Sequence, residues 1–207
     1  MDKAISIAKP IMSSQDVTHD WAHILRVLAY AREIMDGISC VFDREIVEIG
    51  CVLHDIADHK YETKVNVEEV LSSLCFDEER TEKIRQIIHR TSWSVQKKEQ
   101  NPNLFEELRI VRDADKLDAM CDEGVLRAFG TAAVRGTPMF MKATPSYEKW
   151  SKEGALILEE DGSLIGHLYA KLLHIHKFLY FEVSQKIAKP HEKRFEAFVK
   201  RAELFRG

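Results

Sequence analysis

Apolar residues along this chain recur at the three- to four-residue spacing of buried helix faces, and there is little of the two-residue alternation of strands. The first long run, HDWAHILRVLAYAREIM, follows Asp16 or Thr18, either of which suits an N-cap, and stops at Gly37, which suits a helix C-terminus. A second helix starts at Asp43, with Ile46, Ile49, Val52 and Leu53 as its apolar positions. Asn66 and Asp77 are the expected N-caps of VEEVLSSL and EERTEKIRQIIHR. SWSVQKKEQNPN is polar and charged and is expected as a loop. Helices are then predicted from Leu104 to about Met120 and from Glu123 to Val134. The stretch from Gly136 to Gly162 carries Pro138, Pro145 and several glycines, which predicts a long excursion with a short helix at Tyr147 to Lys152. Two helices close the chain, Ser163 to Phe181 and Ser184 to Phe205, the second bent or broken at Pro190. There is no repeat, low-complexity tract or linker. The pattern therefore predicts an all-α, single-domain helical bundle over 1–207, with core motifs in 18–135 and the C-terminal helices of 163–205 packed on them.

A chain of 207 residues is long enough to bury a real core, and 45% hydrophobic with 31% charged residues reads as a soluble globular protein. Lys and Arg total 30 against 34 Asp and Glu, a formal charge of -4. With no basic stripe, long nucleic acid is not an expected partner, and any phosphate must be met by a local cluster. The N-terminus, MDKAISIAKPIMSSQD, is charged early and lacks a long apolar run, so no signal peptide is expected. No window approaches a membrane span, and there is no lipidation signal. The cysteines, Cys40, Cys51, Cys75 and Cys121, lie far apart without a C-x-x-C pair, which predicts reduced core or half-buried thiols in a cytoplasmic protein.

LHDIADHK, directly behind the packed run IVEIGCV, changes this picture. Unpaired charge is costly to bury, so an adjacent His54-Asp55 pair at the end of a buried helix calls for compensation. His19 and His23 are spaced i, i+4 on the preceding helix and share a face. In RDADKLDA, Asp115 and Asp118 are spaced i, i+3, with Lys116 between them. If a bundle brings these faces together, His23, His54, Asp55 and Asp115 surround one point, and a divalent cation there would compensate the carboxylates. The donors are mixed nitrogen and oxygen without sulfur, which suits octahedral Mn, Mg, Fe, Co or Ni as well as Zn. The residues alone leave open a polar core cluster without metal.

HDWAHILRV, LHDIADHK and VRDADKLDAMCDEGVLRAFGTAAVRG resemble, in order and context, the motifs of the HD superfamily of metal-dependent phosphohydrolases. The resemblance implies that His23, His54, Asp55 and Asp115 hold the metal in the core of an HD-type bundle. Together with GHLYAKLL and AKPHEKRFEAFVKRAELF, these segments are similar to the bacterial subgroup related to nucleotide pyrophosphohydrolases, from about Thr18 to Leu204. The 136–162 segment and Pro190 depart from that pattern. What it implies is an enzyme cleaving a (deoxy)nucleoside triphosphate to monophosphate and pyrophosphate, with Mn or Mg as the expected cofactor and a small-molecule nucleotide as partner. A nucleoside monophosphate phosphatase or phosphodiesterase, and a metal-containing nucleotide sensor without turnover, are the rivals. A homodimer is left open.

In such a hydrolase the metal acidifies water and polarises a phosphoryl oxygen. Asp58, three residues after Asp55, would orient or deprotonate the attacking water, unless it is a surface partner of Lys60. Lys60, Lys116 and His19 are candidate contacts for substrate phosphate, with Arg127 and His89 as weaker ones; Arg127 could instead pair with Glu123. His167, His174 and His176 read as packing and surface residues, and the last two, two positions apart, do not share a face. Trp21 reads as core, and Trp93 is a candidate stacking surface for a base.

Overall fold

A computed structural model describes residues 1–13, 20–57, 65–99, 103–153 and 161–206. These residues are helical and contain no strand, as the sequence periodicity predicts. By its internal packing the chain divides into two compact units, Met1–Asp115 and Lys116–Gly207. The division falls within a helix, directly after Asp115.

The first unit opens with α1 (Asp2–Ser13), an element that the sequence reading treats only as a charged terminus. Ala4, Ala8 and Met12 form its buried stripe at i, i+4, i+8. Next, α2 (Trp21–Gly37) is capped by Asp20 rather than by Asp16 or Thr18, which lie outside the described residues. Its buried side runs from His23 and Ile24 through Val27, Leu28 and Ala31 to Ile34 and Met35. Asp43 caps α3 (Arg44–Leu53), the central element, which packs against α1, α2 and α5. A Cβ at Gly50 would come within 2.9 Å of the Ile87 side chain, so glycine permits the close approach of α3 to α5.

Asn66 and Asp77 cap α4 (Val67–Leu74) and α5 (Glu78–Arg90) as expected, each accepting from backbone N–H groups of the first turn. The predicted polar loop contains one helical turn, α6 (Trp93–Gln96). It is tied down by Glu99, which accepts from Arg90 Nε and Arg112 Nη2, both at 2.8 Å. Then α7 (Glu106–Met120) carries Leu108, Ile110, Val111, Ala114 and Leu117 into the interior and, unusually, buries Glu107, Arg112 and Asp113 as well. Glu107 accepts from the Asp43 N–H at 2.9 Å and from Lys83 Nζ at 3.1 Å, which compensates its burial.

In the second unit, α8 (Asp122–Arg135) ends at Gly136, whose φ of +64° is the left-handed C-terminal turn that favours glycine. The expected excursion follows, with α9 (Tyr147–Glu153) where a short helix is predicted. Thr144, Asp161 and Ser163 hold its two ends together by side-chain hydrogen bonds.

The predicted helix from Ser163 to Phe181 is instead α10 (Leu164–His167), a π turn over Leu168–Leu172 and a 3-10 turn over Ile175–Phe178. Finally, α11 (Glu182–Ala202) runs unbroken through Pro190, contrary to the expected bend or break. Trp150, Leu168, Tyr169, Leu172, Phe195 and Val199 form the centre of this unit's core. His174 packs there against Trp150, as the packing assignment anticipates. Of the cysteines, all free, Cys51 and Cys121 are buried, but Cys40 and Cys75 are exposed rather than half-buried.

Candidate metal centre

The first unit brings His23, His54, Asp55 and Asp115 to one point. His23 stands in the first turn of α2, fully buried. α3 ends at Leu53, so His54 is its C-cap residue and Asp55 begins the turn that follows. Asp115 projects from α7 and remains 27% exposed at its side chain. Asp55 spans the two imidazoles: its Oδ2 lies 3.4 Å from His23 Nε2 and its Oδ1 3.5 Å from His54 Nε2. Asp115 Oδ1 lies 3.7 Å from the first nitrogen and 3.8 Å from the second. One donor atom each from His23, His54 and Asp115 fall within 4.8 Å of one another.

These separations are long for direct hydrogen bonds and short for groups that ignore each other. Two donor atoms each about 2.1 Å from a shared cation, at roughly 90–110° to one another, would lie roughly 3.0–3.4 Å apart. The shortest observed spacing, 3.4 Å, equals the long end of this range, and the others, 3.5, 3.7 and 3.8 Å, exceed it by a few tenths of an ångström.

The hydrogen bonding of His54 points the same way. Its Nδ1 lies 2.8 Å from the Cys51 carbonyl and donates to it, which leaves the lone pair on Nε2. That Nε2 is buried and has no hydrogen-bond partner among the described residues. A buried acceptor facing two carboxylates is poorly placed unless a cation stands between them. The rings of His23 and His54 meet edge to face at 67° with centroids 5.3 Å apart, so both nitrogens address the same space without stacking.

The gathered donor atoms come from His23, His54 and Asp115, without a thiol. Burial, with the charges of Glu48 and Asp115 adding to it, pushes the pKa of the nearby Cys51 thiol up. The gathered donors are thus imidazole nitrogen and carboxylate oxygen. His23, His54 and Asp115 could hold a divalent metal, and Asp55 stands within reach of both histidines.

The remaining predicted site residues are placed as follows. His19, Asp58 and Lys60 lie outside the described residues. Lys116 is buried, 3% exposed, with Nζ 5.1 Å from the centroid of the Tyr180 ring. Arg127 pairs with the buried carboxylate of Asp118. Trp93 is half-buried at the start of α6. Sequence reasoning missed two supports, the Cys51 carbonyl behind His54 and the Asp20 carboxylate beneath His23. The first is backbone and leaves no signature; the second is legible as an aspartate directly before the first apolar-periodic residue.

The HD domain family model matches residues 20–120, the stretch that contains all four converging residues. Over these residues the chain matches the HD domain. The uncharacterized protein YpgQ of Bacillus subtilis strain 168 is 27% identical to it over 198 residues, which are 93% of this chain and 87% of YpgQ. The crystal structure of YpgQ in complex with ADP superposes with a TM-score of 0.72 at 24% identity, covering 97% of this chain and 96% of that one. An HD-superfamily hydrolase from Bacillus thuringiensis gives 0.68 at 24% identity over 97% and 93%. A Lactobacillus plantarum protein gives 0.81 at 20% identity over 98% and 94%. This chain thus has the fold of HD-superfamily hydrolases. Among the described residues no helix is long and apolar enough to cross a membrane.

Proposed function

We propose that this protein is a divalent-metal-dependent phosphohydrolase of nucleotides, cutting a (deoxy)nucleoside triphosphate into the monophosphate and pyrophosphate. The observation that carries this reading is the convergence of two imidazole nitrogens and two carboxylates within the stretch that matches the HD domain. The ADP bound by the Bacillus subtilis relative supports a nucleotide as ligand. Mn or Mg suits the donor set, although Fe, Co, Ni and Zn share part of that chemistry.

A divalent cation held there supplies Lewis acidity, acidifying water and drawing charge from a phosphoryl oxygen. The chain's own residues do the rest. His23 and His54 act as neutral nitrogen donors, His54 kept in that tautomer by the Cys51 carbonyl. Asp55 and Asp115 supply the negative charge. Asp58, by its position three residues after Asp55, takes the proton of the attacking water. The water oxygen bonds to the α-phosphorus, the bond to the bridging oxygen breaks, and pyrophosphate leaves with the bonding electrons. Lys60, Lys116, His19 and Arg127 are assigned to the phosphates as part of the same proposal.

The test is turnover by chelator-stripped protein of nucleoside mono-, di- and triphosphates, with Mn, Mg, Co or Ni added back and both phosphate and pyrophosphate quantified. The expected result is pyrophosphate release that needs metal and drops at least about a hundredfold in Asp115→Ala. Phosphate alone would replace this reading with the phosphatase, and metal binding with no product would replace it with a nucleotide-binding protein without turnover.

A further inference from the structure

Both histidines of the centre stand at helix ends, where backbone groups lack intrahelical partners. At the end of α3, His54 uses one such group, the Cys51 carbonyl, to fix its ring. At the start of α2 the relation is reversed, because it is the backbone of His23 that is held. The His23 N–H donates to Asp20 Oδ1 at 3.0 Å and to the Asp20 carbonyl at 3.1 Å. Asp20 has the extended backbone of an N-cap, with φ −82° and ψ 176°, and is half-buried.

From this we infer that Asp20 is a positioning residue of the centre, its carboxylate closing the first turn of α2 and so fixing the direction of the His23 ring. This rests on the reading of the centre as a metal site. The physical reason is that a first turn has little else to define it: helix nucleation is unfavourable, and the first four N–H groups depend on caps. His23 is the third residue of α2, so fraying of this one turn moves a ligand directly. The anionic cap is also favourable at the positive end of the helix dipole. Asp77 at α5 provides an internal control, since it accepts from the Arg80 N–H at 2.9 Å in the same manner but precedes a turn with no residue of the centre.

The experiment is calorimetric titration of chelator-stripped full chain with Mn, for wild type, Asp20→Ala, Asp20→Asn and Asp77→Ala, with hydrogen exchange of the His23 amide read in parallel. Asp20→Ala is expected to bind Mn about tenfold more weakly and to exchange the His23 amide about tenfold faster. Asp20→Asn, which keeps the cap, is expected to restore both to within about twofold of wild type. Asp77→Ala is expected to lower the melting temperature but leave Mn affinity unchanged. Unchanged affinity in Asp20→Ala, equal weakening in Asp77→Ala, or no recovery in Asp20→Asn would each overturn the inference. Absence of Mn binding by wild type would overturn the metal reading instead. The amide exchange then still decides the cap, since an unaltered rate in Asp20→Ala refutes it.

Discussion

Arg112 heads the large side chains that α7 buries completely, and a guanidinium in that position must be satisfied by the groups around it. Its Nε and Nη2 donate to the Arg90 carbonyl at 3.0 and 2.6 Å, and Nη2 also donates to Glu99 at 2.8 Å. Desolvation raises the pKa of Glu99, but hydrogen bonds from Arg90 and Arg112 outweigh it, and the carboxyl is held below its ordinary range. Removing Arg112 leaves the Arg90 carbonyl and one oxygen of Glu99 without their donor and opens a cavity in the core, so Arg112→Ala is expected to cost about 3 kcal/mol in urea unfolding at neutral pH. A depressed carboxyl contributes stability above its unfolded pKa, about 4.3, and loses it as pH falls through the folded value. The difference between Arg112→Ala and wild type should therefore shrink as pH falls below about 4; a difference independent of pH would refute the pair. None of this was legible in the sequence, where Arg112 and Glu99 are two charges among many. His23, His54, Asp55 and Asp115 were legible because their spacing at helix faces and their rarity as donors restrict the chemistry. Asp20 is obscured because His19 also fits the helical pattern, which points to Thr18 or Asp16 as the cap.

At the scale of elements, caps and periodicity located α3 to α5 well, because Asp43, Asn66 and Asp77 each accept from the first turn that follows. The pattern failed where polypeptide stays helical against a local rule, or leaves the α-helix without one. Pro190 is such a rule. It lacks an N–H for the Lys186 carbonyl, yet α11 passes through it with Ala188, Phe195, Val199 and Ala202 buried. Pro190 and Lys186 are both exposed, so water can take the released carbonyl and the packed face holds the helix. The helix-forming cost remains, and Pro190→Ala is expected to raise unfolding stability by about 2–3 kcal/mol, measured by denaturant titration. A gain below about 0.5 kcal/mol would show that packing, rather than the missing bond, sets the local stability. Between Ser163 and Leu179 the opposite happened: apolar spacing suggested one helix, but the segment divides into α, π and 3-10 turns. Its buried residues, Leu164, Ile165, Leu168, Tyr169, Leu172 and Leu173, repeat every four positions, a spacing that drifts by about 40° per repeat round a straight α-helix and that the wider π turn keeps to one side.

For the whole molecule, the location of the centre makes a prediction that neither residue nor element can make alone. His23, His54, Asp55 and Asp115 all belong to the unit Met1–Asp115, and the last of them is its final residue. A cation binding the native centre and not the unfolded chain stabilises by RT ln(1 + [L]/Kd), about 2.7 kcal/mol at a hundredfold excess over Kd. For a chain of this size that corresponds to a rise of roughly 5–11 °C in melting temperature. Mn is therefore expected to raise the melting temperature of the stripped protein by about that amount, with EDTA reversing it and His54→Ala abolishing it. If melting shows two transitions, the shift belongs to the one that includes the first unit, because only that unit supplies the donors. A shift confined to the other transition would place the metal elsewhere, and a shift undiminished in His54→Ala would do the same. One transition moving as a whole would mean that the two units unfold cooperatively, with α7, which runs on past Asp115, as the covalent element they share.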